Sequence, residues 1–397
     1  LISFDLAPET IRLADDVRRW AVEEIRPFAR EADRMHDVPE LARKAVQRCP
    51  VQGAPVGGRL DYPRRGAPDF DPVATDTPNV LGVTLAEAMS YGDVLAHTIM
   101  SNGASLADHV VRALGTPEQT RHWESAIERA EFNLMAFAMT EPASGSDPAG
   151  MRTSATRTPS GWLLNGHKVF CSNGAIADLL LVFATTDRSL GSRGIRAFVV
   201  PREAPGVEVV KANESKLGWR SMMTTEFSLH DVALPEHSVL GDGDDALGGL
   251  RSGLQALNFT RGYMGAMVTG IGQAAVDEGR ARVARSLGQL TPRRREVIGS
   301  EFDRLDAALD RARQVTRRFA TLVDSGQPIK RAGSVAKAYC SPLAERIVLR
   351  VIQLCGSVGY TEDCLLEKWH RDLKIYDIFE GTANIQRVVI GRELRRR

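Results

Sequence analysis

Near the end of the chain, in "YDIFEGTANIQ" from Tyr376 to Gln386, a single carboxylate follows Ile378 and Phe379 and directly precedes Gly381 and Thr382. A charge among apolar side chains is poorly solvated, and desolvation favours the neutral carboxyl, so its proton affinity rises. Such a group suits a general base that takes a proton from carbon. The competing reading makes Glu380 a helix-end residue with its carboxylate turned to water. A second stretch, "FAMTEPASGSDPAGM" from Phe137 to Met151, gathers Thr140, Ser144 and Ser146 around Gly145. Its hydroxyls and backbone N–H groups can bind phosphate or polar cofactor atoms. Taken alone, it also reads as a Ser/Gly turn.

Other chemistries find less support. The five cysteines, at 49, 171, 340, 355 and 364, show no CxxC spacing, so they read as reduced, packed thiols with neither a disulfide framework nor a metal site. A nicotinamide-binding Rossmann unit needs alternating strands and helices with a glycine fingerprint, and neither is visible. The 51 basic and 50 acidic residues nearly cancel, so no broad field draws nucleic acid. Arg293 to Arg295 and Arg395 to Arg397 read as solvated helix ends. No apolar run reaches membrane-spanning length and Leu1 begins no signal or transit peptide, so a cytoplasmic protein without membrane partners is expected.

The elements that must position these residues fall in three blocks. At 397 residues the chain is long enough for two or three units. "APETIRLADDVRRWAVEEIRPFAREAD" spaces Leu13, Val17, Trp20, Ala21, Ile25 and Phe28 at helical intervals. From 50 to 78, six prolines and four glycines forbid a continuous helix. Helical pattern resumes at "NVLGVTLAEAMSYGD" and runs to about Arg129. From Asn133, short extended runs alternate with turn signals: "SATRTPSGWLLNGHKVFCSNG", "DLLLVFATT", "GIRAFVVP" and "TTEFSLHDVALP". The last third is helical again, with Phe302, Leu305, Leu309, Val315, Phe319 and Leu322 predicted along one face of "SEFDRLDAALDRARQVTRRFATLV". The expected class is α+β: an N-terminal helical domain over 1–132 with an irregular segment 50–78, a middle β-barrel or sandwich over 133–241, and a C-terminal four-helix bundle over 242–397.

Four stretches, in order and in register, resemble the acyl-CoA dehydrogenases: "FAMTEPASGSDPAGM", "NGHKVFCSNG" from Asn165, "GSVGYTED" from Gly356, and "RDLKIYDIFEGTANIQR" from Arg371. The resemblance covers roughly the whole chain, is strongest after Phe132 and is weak between Pro39 and Leu81. It implies an FAD-dependent oxidation of an acyl thioester, with FAD between the β domain and the C-terminal bundle. Phe137, Met139 and Thr140 would lie along the flavin, and the Ser146 hydroxyl would reach a cofactor phosphate and the substrate. Phe170 and Ser172 stand where the family usually has Trp and Thr, giving an aromatic face and a hydroxyl near the flavin N5 edge. Thr382 and Asn384 match a pair touching the same FAD, and Gln353 and Gly356 match positions reaching the adenine end across a subunit interface.

By the same match, Glu380 is the base that removes the α-proton while hydride leaves the β carbon for flavin. Its own backbone N–H and a ribityl hydroxyl would hold the thioester oxygen. Relatives that place the base on another helix have it at the position of Thr260, where threonine cannot serve. Arg261, otherwise a helix-surface arginine, matches a residue beside the substrate, with Leu257, Asn258, Phe379 and Gly381 on the same wall. Electrons would pass to an electron-transfer flavoprotein, and the chain would form a homodimer or homotetramer in fatty acid metabolism.

Two departures are visible. Ala284 and Leu287 replace the family's phosphate-binding arginine and its phenylalanine, leaving Arg282 or Arg285 as substitutes; some relatives share such a site between two different chains. The segment 50–78 replaces the usual Tyr-Gly-Gly element, which points away from a plain straight-chain acyl group. The alternatives are an acyl-carrier-protein dehydrogenase or oxidase, one subunit of a hetero-oligomer, and a non-catalytic nucleic-acid-binding relative, which near-zero net charge and Glu380 oppose.

Overall fold

Pro8 opens the first helix, α1 (Pro8–Trp20), at a position where a missing N–H costs nothing, and Arg18 and Arg19 complement its C-terminal dipole. The helical spacing predicted to Phe28 is interrupted. In this computed structural model the chain widens into a π turn over Ala21–Ile25 and tightens into a 3-10 turn over Arg26–Phe28 before α2 (Ala29–Met35). Pro27 supplies the reason: it has no N–H to give the carbonyl of Glu23, and its ring crowds that carbonyl. The structure describes residues 6–51, 77–100, 106–129, 134–241, 248–286 and 290–395. Most of the segment expected to be irregular, and Leu287, lie outside them.

The architecture is mixed α+β, with helical N- and C-terminal regions and a curled sheet in the middle. The chain divides into two compact units, one within 1–100, 216–221 and 258–397, the other within 101–215 and 222–257. In the first, α1, α3 (Glu40–Ala45), α4 (Pro78–Gly92) and α5 (Val94–Met100) close a core around Val17, Ile25, Leu85 and Met89.

Helix α8 (Gly248–Ser286) packs from Asn258 onward against α9 (Pro292–Asp324) and α10 (Lys330–Cys355). The approach is close: a Cβ on Gly262 would lie 2.0 Å from the Phe319 ring, and one on Gly333 would lie 2.3 Å from the Asn258 carbonyl. On α9 the buried stripe runs through Phe302, Leu309, Ala312, Thr316 and Phe319. Val315 and Leu322, predicted on that face, flank it half-buried. Arg293 to Arg295 are exposed in the first turn of α9.

Helix α11 (Leu366–Tyr376) is fixed by buried charge. The Lys368 ammonium lies 2.8 Å from each Asp93 oxygen and 2.7 Å from Asp372, and Trp369 Nε1 donates to Asp93 at 2.8 Å. Arg371 forms a two-pronged pair with Asp33 at 3.0 and 2.6 Å. A cation with several well-placed acceptors recovers the hydration it gave up. The end of α11, and the turn that follows it, therefore have a firm base.

The second unit is built on a seven-stranded sheet. Strand β3 (Gly161–Ser172) pairs antiparallel with β2 (Ser154–Thr158) and β7 (Thr224–Leu234), and β7 with β6 (Val207–Lys211). Strand β4 (Leu179–Thr185) runs antiparallel to β5 (Ile195–Pro201) and parallel to β1 (Met135–Ala138). Trp162, Leu164, Phe198 and Phe227 fill one face; Leu181, Phe183 and Val199 pack on the other with α6 (Leu106–Leu114) and α7 (Pro117–Glu128). A capping box between Thr116 and Gln119 starts α7. All five cysteines are free, as expected, and all but Cys355 are buried. Among the described residues no helix is long and apolar enough to cross a membrane, and no His, Cys, Asp and Glu cluster could hold a metal ion.

Candidate functional site

Glu380 sits on the reversal between α11 and α12 (Ala383–Arg395). The amides of Ile378 and Phe379 close on the Ile375 carbonyl at 2.9 and 3.1 Å, and the Ala383 amide returns to the Asp377 carbonyl at 3.1 Å. That return requires left-handed backbone at two successive residues, with φ 55° at Glu380 and 86° at Gly381. Glycine adopts it freely, whereas a residue bearing a Cβ loses about 1–2 kcal/mol there. A strained glutamate persists only where its surroundings over-determine it.

Three side chains from three helices do so. Lys337 of α10 donates to the carbonyls of Asp377 at 2.9 Å and Gly381 at 2.8 Å. Arg261 of α8 donates through Nε to the Glu380 carbonyl at 2.9 Å and through a terminal nitrogen to Asn258 Oδ1 at 2.7 Å. Gln386 of α12 donates to the carbonyls of Glu380 at 3.3 Å and Gly381 at 3.1 Å. The Thr260 hydroxyl donates to Glu380 Oε2 at 2.5 Å. Among the described residues, no acceptor engages the backbone N–H of Glu380.

Burial raises the Glu380 pKa above the ordinary carboxylate value; the Thr260 hydroxyl, Arg261 and Lys337 oppose that rise without cancelling it. Glu380 is half-buried, and its carboxylate is held by the Thr260 hydroxyl rather than simply turned to water. Ile378, expected to shield it, is 50% exposed and does not. Phe379 instead meets Tyr376 edge-on at 5.4 Å and Trp219 at 6.0 Å, while Trp219 and Tyr376 stack at 5.1 Å. Trp219 is held by its amide on Asp372 and its indole N–H on Thr98. The Tyr376 hydroxyl, Asp377 Oδ1 and Gln386 Oε1 are buried and lack partners among the described residues, a concentration of unsatisfied polar atoms at this one turn.

The sheet unit carries the second group. Phe137 is half-buried near the end of β1, its ring 5.0 Å from Phe183, so the stretch that alone reads as a Ser/Gly turn begins inside a strand. Met139 is buried and its carbonyl accepts from Lys168 Nζ at 3.1 Å; the Thr140 carbonyl accepts from the Val169 amide at 2.9 Å. Glu141 accepts from Lys168 at 2.9 Å and from the amides of Arg152 and Thr153. Ser146 is exposed beyond Ser144. Between Lys168 and Cys171 the pairing of β3 with β7 carries one extra residue, and there Phe170 takes φ 57° with 64% of its surface exposed. Ser172 is exposed beside it. An exposed aromatic ring held at strained backbone, with the Ser172 hydroxyl exposed beside it, offers a flat apolar face next to a hydrogen-bonding group.

The remaining expected residues are dispersed. Gln353, exposed near the end of α10, accepts from Arg350, and Gly356 just beyond takes φ 67°. Thr382 accepts the Ile385 amide at the start of α12; Asn384 is exposed and accepts from Arg387. Leu257 and Asn258 are buried on α8. Arg282 is occupied by Glu278 and the Asp363 carbonyl, whereas Arg285 is exposed. Sequence reasoning missed Lys337, Gln386 and Trp219. The signal for Lys337 was its place in "AGSVAKAYC", a lysine among small residues on the buried stripe of a helix.

Comparison with known proteins gives consistent matches. Residues 136–232 match the family model "Acyl-CoA dehydrogenase, middle domain" and residues 248–395 match "Acyl-CoA dehydrogenase, C-terminal domain". The chain is 31% identical over 400 residues to the short-chain specific acyl-CoA dehydrogenase, mitochondrial, of Bos taurus, covering 98% of this chain and 90% of that protein. Its fold is similar to butyryl-CoA dehydrogenase from Megasphaera elsdenii, with a TM-score of 0.84 and 26% identity over 99% of this chain and 100% of the other. A structure described as the electron transferring flavoprotein of Acidaminococcus fermentans matches with a TM-score of 0.84 and 28% identity over 100% of both chains.

Proposed function

This chain belongs to the acyl-CoA dehydrogenase family, and we propose that Glu380 is the base with which it oxidises an acyl-CoA thioester. The reaction is FAD-dependent α,β-dehydrogenation, the work of an oxidoreductase acting on a CH–CH group. FAD, when bound, accepts the hydride lost from the β carbon. Glu380 takes the proton from the α carbon. A thioester α-proton is weakly acidic, so a carboxylate with raised proton affinity narrows the gap. The observation that carries this reading is the coincidence, at one residue, of that raised affinity with a backbone N–H that no acceptor among the described residues engages. The N–H is free to bind the thioester oxygen as negative charge develops on it. Arg261 and Asn258 hold the turn from α8; Leu257, Phe379, Gly381 and Ser146 complete the substrate contacts.

We assign FAD binding to Phe137, Met139, Thr140, Ser146, Phe170 and Ser172 of the sheet unit, and to Gln353, Gly356, Thr382 and Asn384. The exposed Phe170 ring and the Ser146 and Ser172 hydroxyls support the assignment. The domain limits 1–132, 133–241 and 242–397 accompany it, as do a cytoplasmic location, a homotetramer, a role in fatty acid metabolism and an electron-transfer flavoprotein as acceptor. Ala284 favours one further reading, a flavin site completed by a second chain. With Arg282 engaged by Glu278, Arg285 is the residue left to replace the missing arginine. Flavin that is retained only in the presence of another dehydrogenase chain would establish that version.

The test is anaerobic incubation with straight, branched and cyclic acyl-CoA thioesters while flavin absorbance is followed. Bleaching by a CoA thioester is expected. Bleaching only by carrier-protein thioesters would transfer the activity to that substrate class, and none with either would refute the dehydrogenase reading.

A further inference from the structure

Lys337 takes no part in the reaction as outlined, yet its side chain is fully buried in the middle of α10. An ammonium withdrawn from water must find acceptors in place of its hydration. Here they are not carboxylates: among the described residues Lys337 forms no ion pair, and its hydrogen bonds go to the carbonyls of Asp377 and Gly381, which bracket Glu380. The charges facing it are Asp377 and Glu380 from the turn, Arg261 from α8 and Arg387 from α12. Those facing the Glu380 carboxylate are Arg261 and Lys337, with the Thr260 hydroxyl bonded to it. A buried lysine is thus committed to the backbone on either side of the one strained glutamate in this turn.

We propose that Lys337 is a positioning residue for the base. By fixing the Asp377 and Gly381 carbonyls, its two bonds hold Glu380 left-handed and so set the directions of its carboxylate and its backbone N–H together. The inference rests on the reading of Glu380 as the base. Arg261 and Gln386 pull on the same turn, Arg261 at the Glu380 carbonyl and Gln386 at those of Glu380 and Gly381; among the described residues Lys337 is the one side chain bonded to both Asp377 and Gly381.

Lys337→Met keeps most of the stem's length and removes both donors. In the holoenzyme, flavin reduction by a good acyl-CoA substrate should slow by about 10- to 100-fold, the scale of a small misplacement of a reacting group. Flavin content and reduction by dithionite should stay at the parent's level. The acid limb of the rate profile should move to higher pH, because a positive charge facing Glu380 has gone and its proton is held more tightly. In a Glu380→Gln background, Lys337→Met should add little further loss, since it acts through Glu380. An equal fold-loss in both backgrounds, or a parental rate for Lys337→Met where Glu380→Gln is slow, would overturn the positioning role and leave the base assignment standing. A parental rate for Glu380→Gln would remove both. If Lys337→Met fails to retain flavin, Lys337→Gln, a neutral side chain with one amide donor, carries the same comparisons.

Discussion

Lys168 Nζ and the Glu141 carboxylate meet at 2.9 Å with both side chains buried in the sheet unit. The pair is a fastening for the segment Met139 to Glu141, because Lys168 also holds the Met139 carbonyl and Glu141 also holds the Arg152 and Thr153 amides. Burial alone would push Glu141 up, but Lys168 and these donors bring its pKa below the ordinary value, and burial lowers that of Lys168 to about 8. Lys168→Met leaves an uncompensated buried carboxylate and should destabilise the fold by about 3–5 kcal/mol. Adding Glu141→Gln should restore much of that loss. Chemical denaturation of the two single variants and the double variant measures the coupling, and independent losses would show that the pair is not coupled.

Glu380→Gln should retain FAD and thioester binding while flavin reduction by substrate falls at least about 10²-fold, the lower end of what a positioned base supplies. Asp should retain more activity than Gln and less than Glu. Because the folded carboxyl binds its proton more tightly than an unfolded one, stability falls as pH rises from the ordinary glutamate range through the raised value. The Gln variant should lose that dependence. Stopped-flow reduction and denaturation midpoints across pH read the two effects separately.

His97 is buried on α5, hydrogen-bonded to Ser90 at 2.6 Å, with its pKa lowered to about 4 by desolvation. The unfolded chain binds the extra proton first, so stability present above the ordinary histidine value near 6.5 is lost as pH falls toward 4. At about 1.4 kcal/mol per pH unit, the site contributes up to roughly 3 kcal/mol of acid sensitivity. His97→Gln should flatten stability against pH in that window; an unchanged slope would show that His97 is not responsible.

Gly381→Ala should damage the site more than its size suggests. A Cβ there would lie 2.7 Å from Gln386 Nε2, and φ 86° is open to few residues other than glycine. Substrate-driven flavin reduction should fall, with a smaller loss of thermal stability. The same alanine at Gly299, exposed on α9 with no neighbour within 4 Å, should leave activity unchanged and stabilise the helix by up to about 1 kcal/mol.

Much of this was legible in the sequence, for identifiable reasons. The carboxylate after "YDIF" stood out because charge and apolar setting conflict, and β3, β4, β5 and β7 followed from their short extended runs and flanking turn signals. Strand β1 was hidden because "MAFA" is only four residues and merges with the turn-rich stretch after it. Strand β6 was hidden because "VEVVK" is only five residues, with Val207 and Val209 half-buried against the sheet core and Val210 exposed. Lys337 was missed because a lysine in a helix ordinarily faces water. The pairing of Asp33 with Arg371 spans 338 positions, a separation at which residue type gives no hint of the partner.

The extra residue in β3 has a consequence for how this sequence can vary. Side chains on a strand alternate like odd and even numbers, and the insertion before Cys171 changes the parity. Leu164 and Lys168 face inward on even numbers; Val169 and Cys171 face inward on odd ones, which turns Phe170 and Ser172 outward. Straightening the strand here with every residue kept would exchange inside for outside, sending Cys171 to solvent and the phenyl ring into the core, whereas loss of the one extra residue would leave the later pairing as it is. Conservative substitutions at Phe170 or Ser172 leave this numbering intact. At this point in the chain the kink in the backbone, more than the letters beside it, decides which side chains face inward.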